Sequence, residues 1–227
     1  MLTQDKPFVS LRAMNALAAL VVVLGWLAAV GGVVYAINGA TQAGGSITVS
    51  AQVHDLTGTT VRDSVPADAT LRPTGSQSAL QLGLPNSGTD SWMHTPADSW
   101  LLTTGDSSVA EQLLSRGDAV IWGLSALAAG YALRALILSI SAGRPFAEGN
   151  ARRIATMGVL AVAACWAGSA STGAAAVVVA DRVGVTSQVN GVLSFSLLPL
   201  VVLPFVLVLA EAFRRGGELA RDVDGLV

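Results

Sequence analysis

The chain has 227 residues, of which 52 % are hydrophobic and only 12 % charged, with a formal net charge of −2. A soluble domain averages about 25 % charged residues, and a chain without excess basic charge offers no field for a polyanion. An ordinary soluble enzyme, a disordered chain and a nucleic-acid-binding domain are thereby excluded, and an integral membrane protein is left. The single cysteine, Cys165, rules out an intrachain disulfide and a thiolate zinc cluster.

Residues 1–12 form a short N-terminal segment with Lys6 and Arg12. Between Ala13 and Ile37 no charge occurs. A helix crossing a hydrocarbon core of roughly 30 Å needs about 20 apolar residues, so 13–37 is expected to be a first transmembrane helix. Its apolar stretch is too long for a signal-peptide core of about 7–15 residues, which makes it a retained anchor.

The segment 38–112 is of another kind, rich in Thr, Ser, Gly and Asp, with two arginines against seven carboxylates. Short alternating runs at 46–53, 59–62, 79–84 and 99–103 predict strands. Turn signals lie at 57–58, 72–75 and 85–88. The reading is a small β-rich extracytoplasmic domain inserted between the first two helices. The second helix is expected to start near Ser107 or Ser108, with Glu111 in its first turn.

Helix two spans the membrane within 113–141, interrupted by Arg134. A loop follows at 142–153, then a third uncharged span at 154–180, a short outer loop at 181–190 and a fourth span at 191–213. Pro145 is expected to end helix two, Asn150 to cap helix three, and Pro199 and Pro204 to bend helix four. The stripes Ala28, Gly32, Ala36 and Ala164, Gly168, Thr172, Ala176 allow close helix contact, within the bundle or in a dimer. The tail 214–227 alternates in sign; it is either solvated or an amphipathic extension of helix four.

Orientation follows from Lys and Arg near the spans. Lys6, Arg12, Arg134, Arg144, Arg152, Arg153, Arg214, Arg215 and Arg221 fall on one side, against Arg116 and Arg182 on the other. Both termini are therefore expected in the cytoplasm. Twelve arginines against one lysine point to a GC-rich bacterial genome and its plasma membrane.

The candidate functional residues gather on the cytoplasmic side. Arg152 and Arg153 sit in the first turn of helix three, where cations oppose the helix dipole at about 0.3–1 kcal/mol each. Anionic lipid, an acidic partner or the acidic tail would offset that cost. With Arg144, Phe146, Asn150, Arg214 and Arg215 they make a candidate contact for lipid or partner. Arg134, seven residues or roughly 10 Å before Ser141, either snorkels or pairs with Glu211 inside the membrane. His54 and His94 show no metal spacing, and no nucleophile, phosphate-loop or dinucleotide motif occurs. No cofactor and no enzymatic activity are expected.

The run Gly143-Arg144-Pro145-Phe146, with Asn150 and Arg153-Ile154, resembles a signature of the bacterial membrane family called "domain of unknown function 2975". The ending Phe213-Arg214-Arg215-Gly216, Leu219 and Asp222-Val223-Asp224-Gly225-Leu226-Val227 is similar to that family's C-terminus. The order of four spans with an outer insertion also resembles it. The resemblance implies no activity or catalytic residue. It implies a neighbouring helix-turn-helix regulator, by association. Three functions follow as expectations. The first is a non-enzymatic regulatory or interaction module that joins an outer domain to a cytoplasmic partner. The second is a small carrier or immunity protein within the bilayer, and the third an accessory subunit of a larger membrane complex.

Overall fold

The computed structural model describes residues 10–53, 69–73, 99–147, 149–186, 189–191 and 197–224. Among the described residues there are five helices: α1 (Leu11–Ala40), α2 (Val109–Ser115), α3 (Gly117–Ser141), α4 (Asn150–Val183) and α5 (Leu198–Asp224). The strands are β1 (Ile47–Val53), β2 (Ala69–Pro73), β3 (Ser99–Thr104) and β4 (Val189–Gly191). The protein is mainly helical, and α1, α3 and α4 are each long and apolar enough to cross a membrane. In α5 the uncharged part, Leu198–Ala210, covers thirteen residues before Glu211. That is roughly 20 Å of helix, short of a 30 Å core.

The described chain divides into two units. The helical unit takes α1 through Val34, α3 from Ala119 onward, the loop after it, α4 through Gly168, and α5. Helices in lipid gain nothing from apolar burial against one another, so small residues that let backbones approach decide their pairing. Glycines serve this purpose on both sides of the α1–α3 seam. A methyl group on Gly32 would overlap the Ala119 carbonyl, and one on Gly123 would lie 2.5 Å from the Ala28 carbonyl oxygen. At Gly25 it would lie 2.9 Å from Leu127 Cα. The stripe through Ala28 and Gly32 is thus used within the bundle. A second cluster joins α3, α4 and α5 through Leu136, Ile154 and Ala210, with Val206 and Phe213 against it. Large apolar side chains such as Leu24, Leu27, Val30, Phe205 and Val208 face outward, as a lipid-covered surface requires.

The second unit runs from Tyr35 to Asp118 and from Ser169 to Ser194. Its antiparallel sheet has the order β2-β3-β1-β4. Alternation places Ile47, Val49, Ala51, Leu71 and Leu102 on one face, against Ala175, Ala176 and Val179 of α4. On the other face the Thr48 and Thr103 hydroxyls meet at 2.9 Å. A capping box starts α2: Glu111 N–H donates to Ser108 Oγ and Ser108 N–H donates to the Glu111 carboxylate. Glu111, only 1 % exposed, also receives Arg182 Nε at 2.8 Å. At Gly184 (φ 75°) the helix ends in a Schellman turn, with Val185 N–H returning to Ala180 O.

Several expectations change. Strands at 59–62 and 79–84, two of the turns, and both histidines lie outside the described residues. Arg72 and Pro73 end a strand instead of making a turn; Pro73 is tolerated because β2 is an edge strand. Residues 189–191 pair with 51–53 as β4, so the interval given to an outer loop and the fourth span holds a strand. Helix two is two helices, broken at Arg116 (φ −115°, ψ 6°). Pro199 falls in the first turn of α5, where its missing N–H costs no helical bond, and only Pro204 is internal. The tail is helical through Asp224.

The seam makes a sharp prediction. Gly32→Leu should lower stability by at least about 1–3 kcal/mol, while Gly31→Ala, with open space around it, should be neutral. Thermal unfolding in mild detergent checks both.

Candidate functional site

The loop between α3 and α4 is built by side chains, not only by turn residues. Gly143 (φ 73°) ends α3 in a Schellman turn: its N–H donates to Ile140 O and Arg144 N–H returns to Ser139 O at 3.1 Å. An L side chain pays a steric cost at that φ, so Gly143 ends the helix. The expected stop at Pro145 is corrected: it comes two residues after the chain has already turned.

Asn150 then closes the loop. It is fully buried, 0 % exposed, so each polar atom needs a partner. Its Nδ2 donates to Ser139 Oγ at 2.7 Å and to Pro145 O at 2.8 Å. The Ser139 hydroxyl donates onward to Arg144 O at 2.7 Å. Oδ1 of Asn150 accepts from Arg153 Nη1 at 2.7 Å. The expected helix cap is therefore corrected: Asn150 is the first helical residue, and its side chain clamps the loop to the end of α3. This also answers part of the dipole conflict, because the Arg153 guanidinium is held by a carbonyl oxygen. Arg152 and Arg144 are exposed.

Phe146 is carried from this loop onto α5. Its ring centroid lies 5.6 Å from that of Phe213. A methyl group on Gly216 would lie 2.6 Å from the Phe146 ring, and one on Gly217 would lie 2.9 Å from the Phe146 carbonyl oxygen. The paired glycines form a shallow seat that any side chain would fill. Beside it, Glu211 accepts from Arg214 at 2.7 Å and from Arg215 at 2.8 Å, and Arg214 also reaches Glu218. The Glu211 bonds, with Glu218 adding to them, raise the Arg214 pKa further above its ordinary value.

Of the residues named from sequence, Phe146, Asn150 and Arg153 join one packed loop, and Phe146 meets the helix that carries Arg214 and Arg215. The suggested pair of Arg134 and Glu211 is not formed. Glu211 is taken by the two arginines three and four positions ahead, which helical geometry puts on its own face. Arg134 stands exposed on α3. Ser139, Phe213, Gly216 and Gly217 were not among the candidate site residues. A glycine pair inside a charged helical segment is the signal that points to them, since glycine disfavours a helix unless something approaches it. Among the described residues no group of three His, Cys, Asp or Glu could hold a metal.

Comparison with protein-family models, with curated proteins and with solved structures finds no match. The site is thus read from its own geometry, which presents exposed arginines (Arg144, Arg152, Arg215) around a buried amide and an aromatic seat.

Replacing Asn150 by Ala removes the clamp. Amide exchange at Arg144, Ala147 and Asn150 should then rise tenfold or more, about 1–3 kcal/mol of local opening. Arg152→Ala should leave those amides unchanged. Hydrogen exchange with mass spectrometry on the detergent-solubilised protein reads both.

Proposed function

We propose that the protein is a non-enzymatic regulatory or interaction module of a bacterial plasma membrane, related to the four-span family that it resembles. In this reading α5 completes a fourth crossing, both termini are cytoplasmic, and the sheet unit lies outside. The outer unit takes the signal, and the loop with α5 presents it to a cytoplasmic partner.

One observation carries the reading. The two stretches that resemble the family's motifs, Gly143 to Ile154 and Phe213 to Gly216, meet through Phe146, although about sixty residues separate them. Distinctive sequence spent on one packed loop–helix contact, with arginines left facing outward, is what a docking surface needs. Charges on its rim steer an acidic partner, and an aromatic seat fixes the register. Catalysis would need a nucleophile and base or a metal, and the motif stretches carry no His, Cys or Ser for such work.

Native copurification in mild detergent tests this. The wild-type chain should bring down a soluble partner, a helix-turn-helix regulator being the expected class. A variant with Arg152→Ala, Arg153→Ala and residues 214–227 deleted should lose it while staying in the membrane. A stoichiometric membrane complex indifferent to the variant would refute the regulator and support an accessory subunit. Lipid alone would refute it in favour of the carrier or immunity reading.

A further inference from the structure

Halfway along α1 and α3 a polar pair faces outward. Trp26 Nε1 donates to the Tyr131 hydroxyl at 3.1 Å, yet Trp26 is 51 % and Tyr131 47 % exposed. The Tyr131 oxygen is used as acceptor, so its own O–H remains a donor, with no acceptor among the described residues. Arg134 follows three positions later on α3, also exposed, and helical spacing puts it beside Tyr131. Among the described residues no carboxylate pairs with it. The patch thus offers only donors, one of them a full positive charge, on helices apolar enough to cross a membrane.

Ionisable and polar groups within a membrane segment are costly, and they face the bundle interior or a partner. Here they face away from their own bundle. Snorkelling toward Ser141 starts against the Cα–Cβ bond of Arg134, which tilts to the N-terminal side, toward Tyr131. From these observations we infer that Trp26, Tyr131 and Arg134 form an intramembrane docking face for a helix of another membrane protein. That helix carries an Asp or Glu at the depth of Arg134. A second copy of this chain cannot supply the group. No Asp or Glu occurs in 13–37, 119–141, 154–180 or 183–210, and Glu211 is held by Arg214 and Arg215. The inference needs only that α1 and α3 cross a bilayer; it is independent of the cytoplasmic site, and either can fail alone.

The test uses the full-length chain, fluorescently labelled at its N-terminus, in phosphatidylcholine vesicles. The probes are acceptor-labelled polyleucine helices of about 20 residues, all-Leu or with one Asp stepped through the inner half. At the matching depth the Asp helix should associate ~3- to 30-fold more tightly than the all-Leu helix. Arg134→Leu should abolish that preference, Arg134→Lys should keep most of it, and Tyr131→Phe should lose part. Equal binding of both helices at every depth overturns the proposal, as does a preference that survives Arg134→Leu. Loss of the preference when phosphatidylglycerol is added also overturns it, and assigns Arg134 to anionic headgroups.

Discussion

A helix surrounded by hydrocarbon satisfies its own backbone but gains nothing by hiding apolar side chains from lipid. What holds several such helices together is how closely their backbones can approach. In this protein that requirement falls on a few glycines. Gly25, Gly32 and Gly123 let α1 and α3 touch through carbonyl oxygens and Cα atoms. Gly216 and Gly217 do the same for a loop instead of a helix, because they receive the ring and carbonyl of Phe146. The α1–α3 seam and the candidate site thus use one device, and the outward surface is left free to be apolar.

Among the described residues, the buried polar side chains of the helices sit where helices begin, whereas Trp26, Tyr131 and Arg134 stand exposed midway along α1 and α3. Asn150 gathers Ser139, Pro145 and Arg153 around a buried amide at the start of α4. Near the end of the same helix, Arg182 reaches the buried Glu111. Both arrangements meet the same need, that a buried polar group be fully bonded. They differ in what they leave outside. The Glu111–Arg182 pair spends its charges on each other, whereas the Asn150 amide is itself uncharged, holds Arg153 without neutralising it, and leaves Arg144 and Arg152 exposed. That difference is why the clamp, and not the ion pair, reads as a contact surface.

Three apolar helices, a small sheet and the Ser108–Glu111 start were legible because each rests on local pattern: uninterrupted apolar length, alternation, or a capping spacing. β1 and β3 were found by alternation. β2 was hidden by Pro73, which reads as a turn until its place on a sheet edge is known. β4 was hidden because three residues carry no period, and only pairing with Ala51, Gln52 and Val53 makes them a strand. At the site, the arginines and Phe146 were visible as an unusual cluster. The role of Asn150 was not, because a cap and a clamp use the same side chain and differ only in which long-range partners surround it. The Arg134–Glu211 pair failed for the complementary reason: local i+3 and i+4 partners satisfy Glu211 first.

The account depends most on the proposal that the loop and α5 lie on the cytoplasmic side and the sheet unit on the other. Because Leu198–Ala210 is short for a crossing, α5 is where this is decided. Single cysteines placed by Ser50→Cys, Arg144→Cys and Asp222→Cys in a Cys165→Ser background can be probed with a membrane-impermeant maleimide. The account predicts labelling at position 50 in intact cells, and at 144 and 222 only after permeabilisation. Labelling of 50 and 222 from the same side would contradict it.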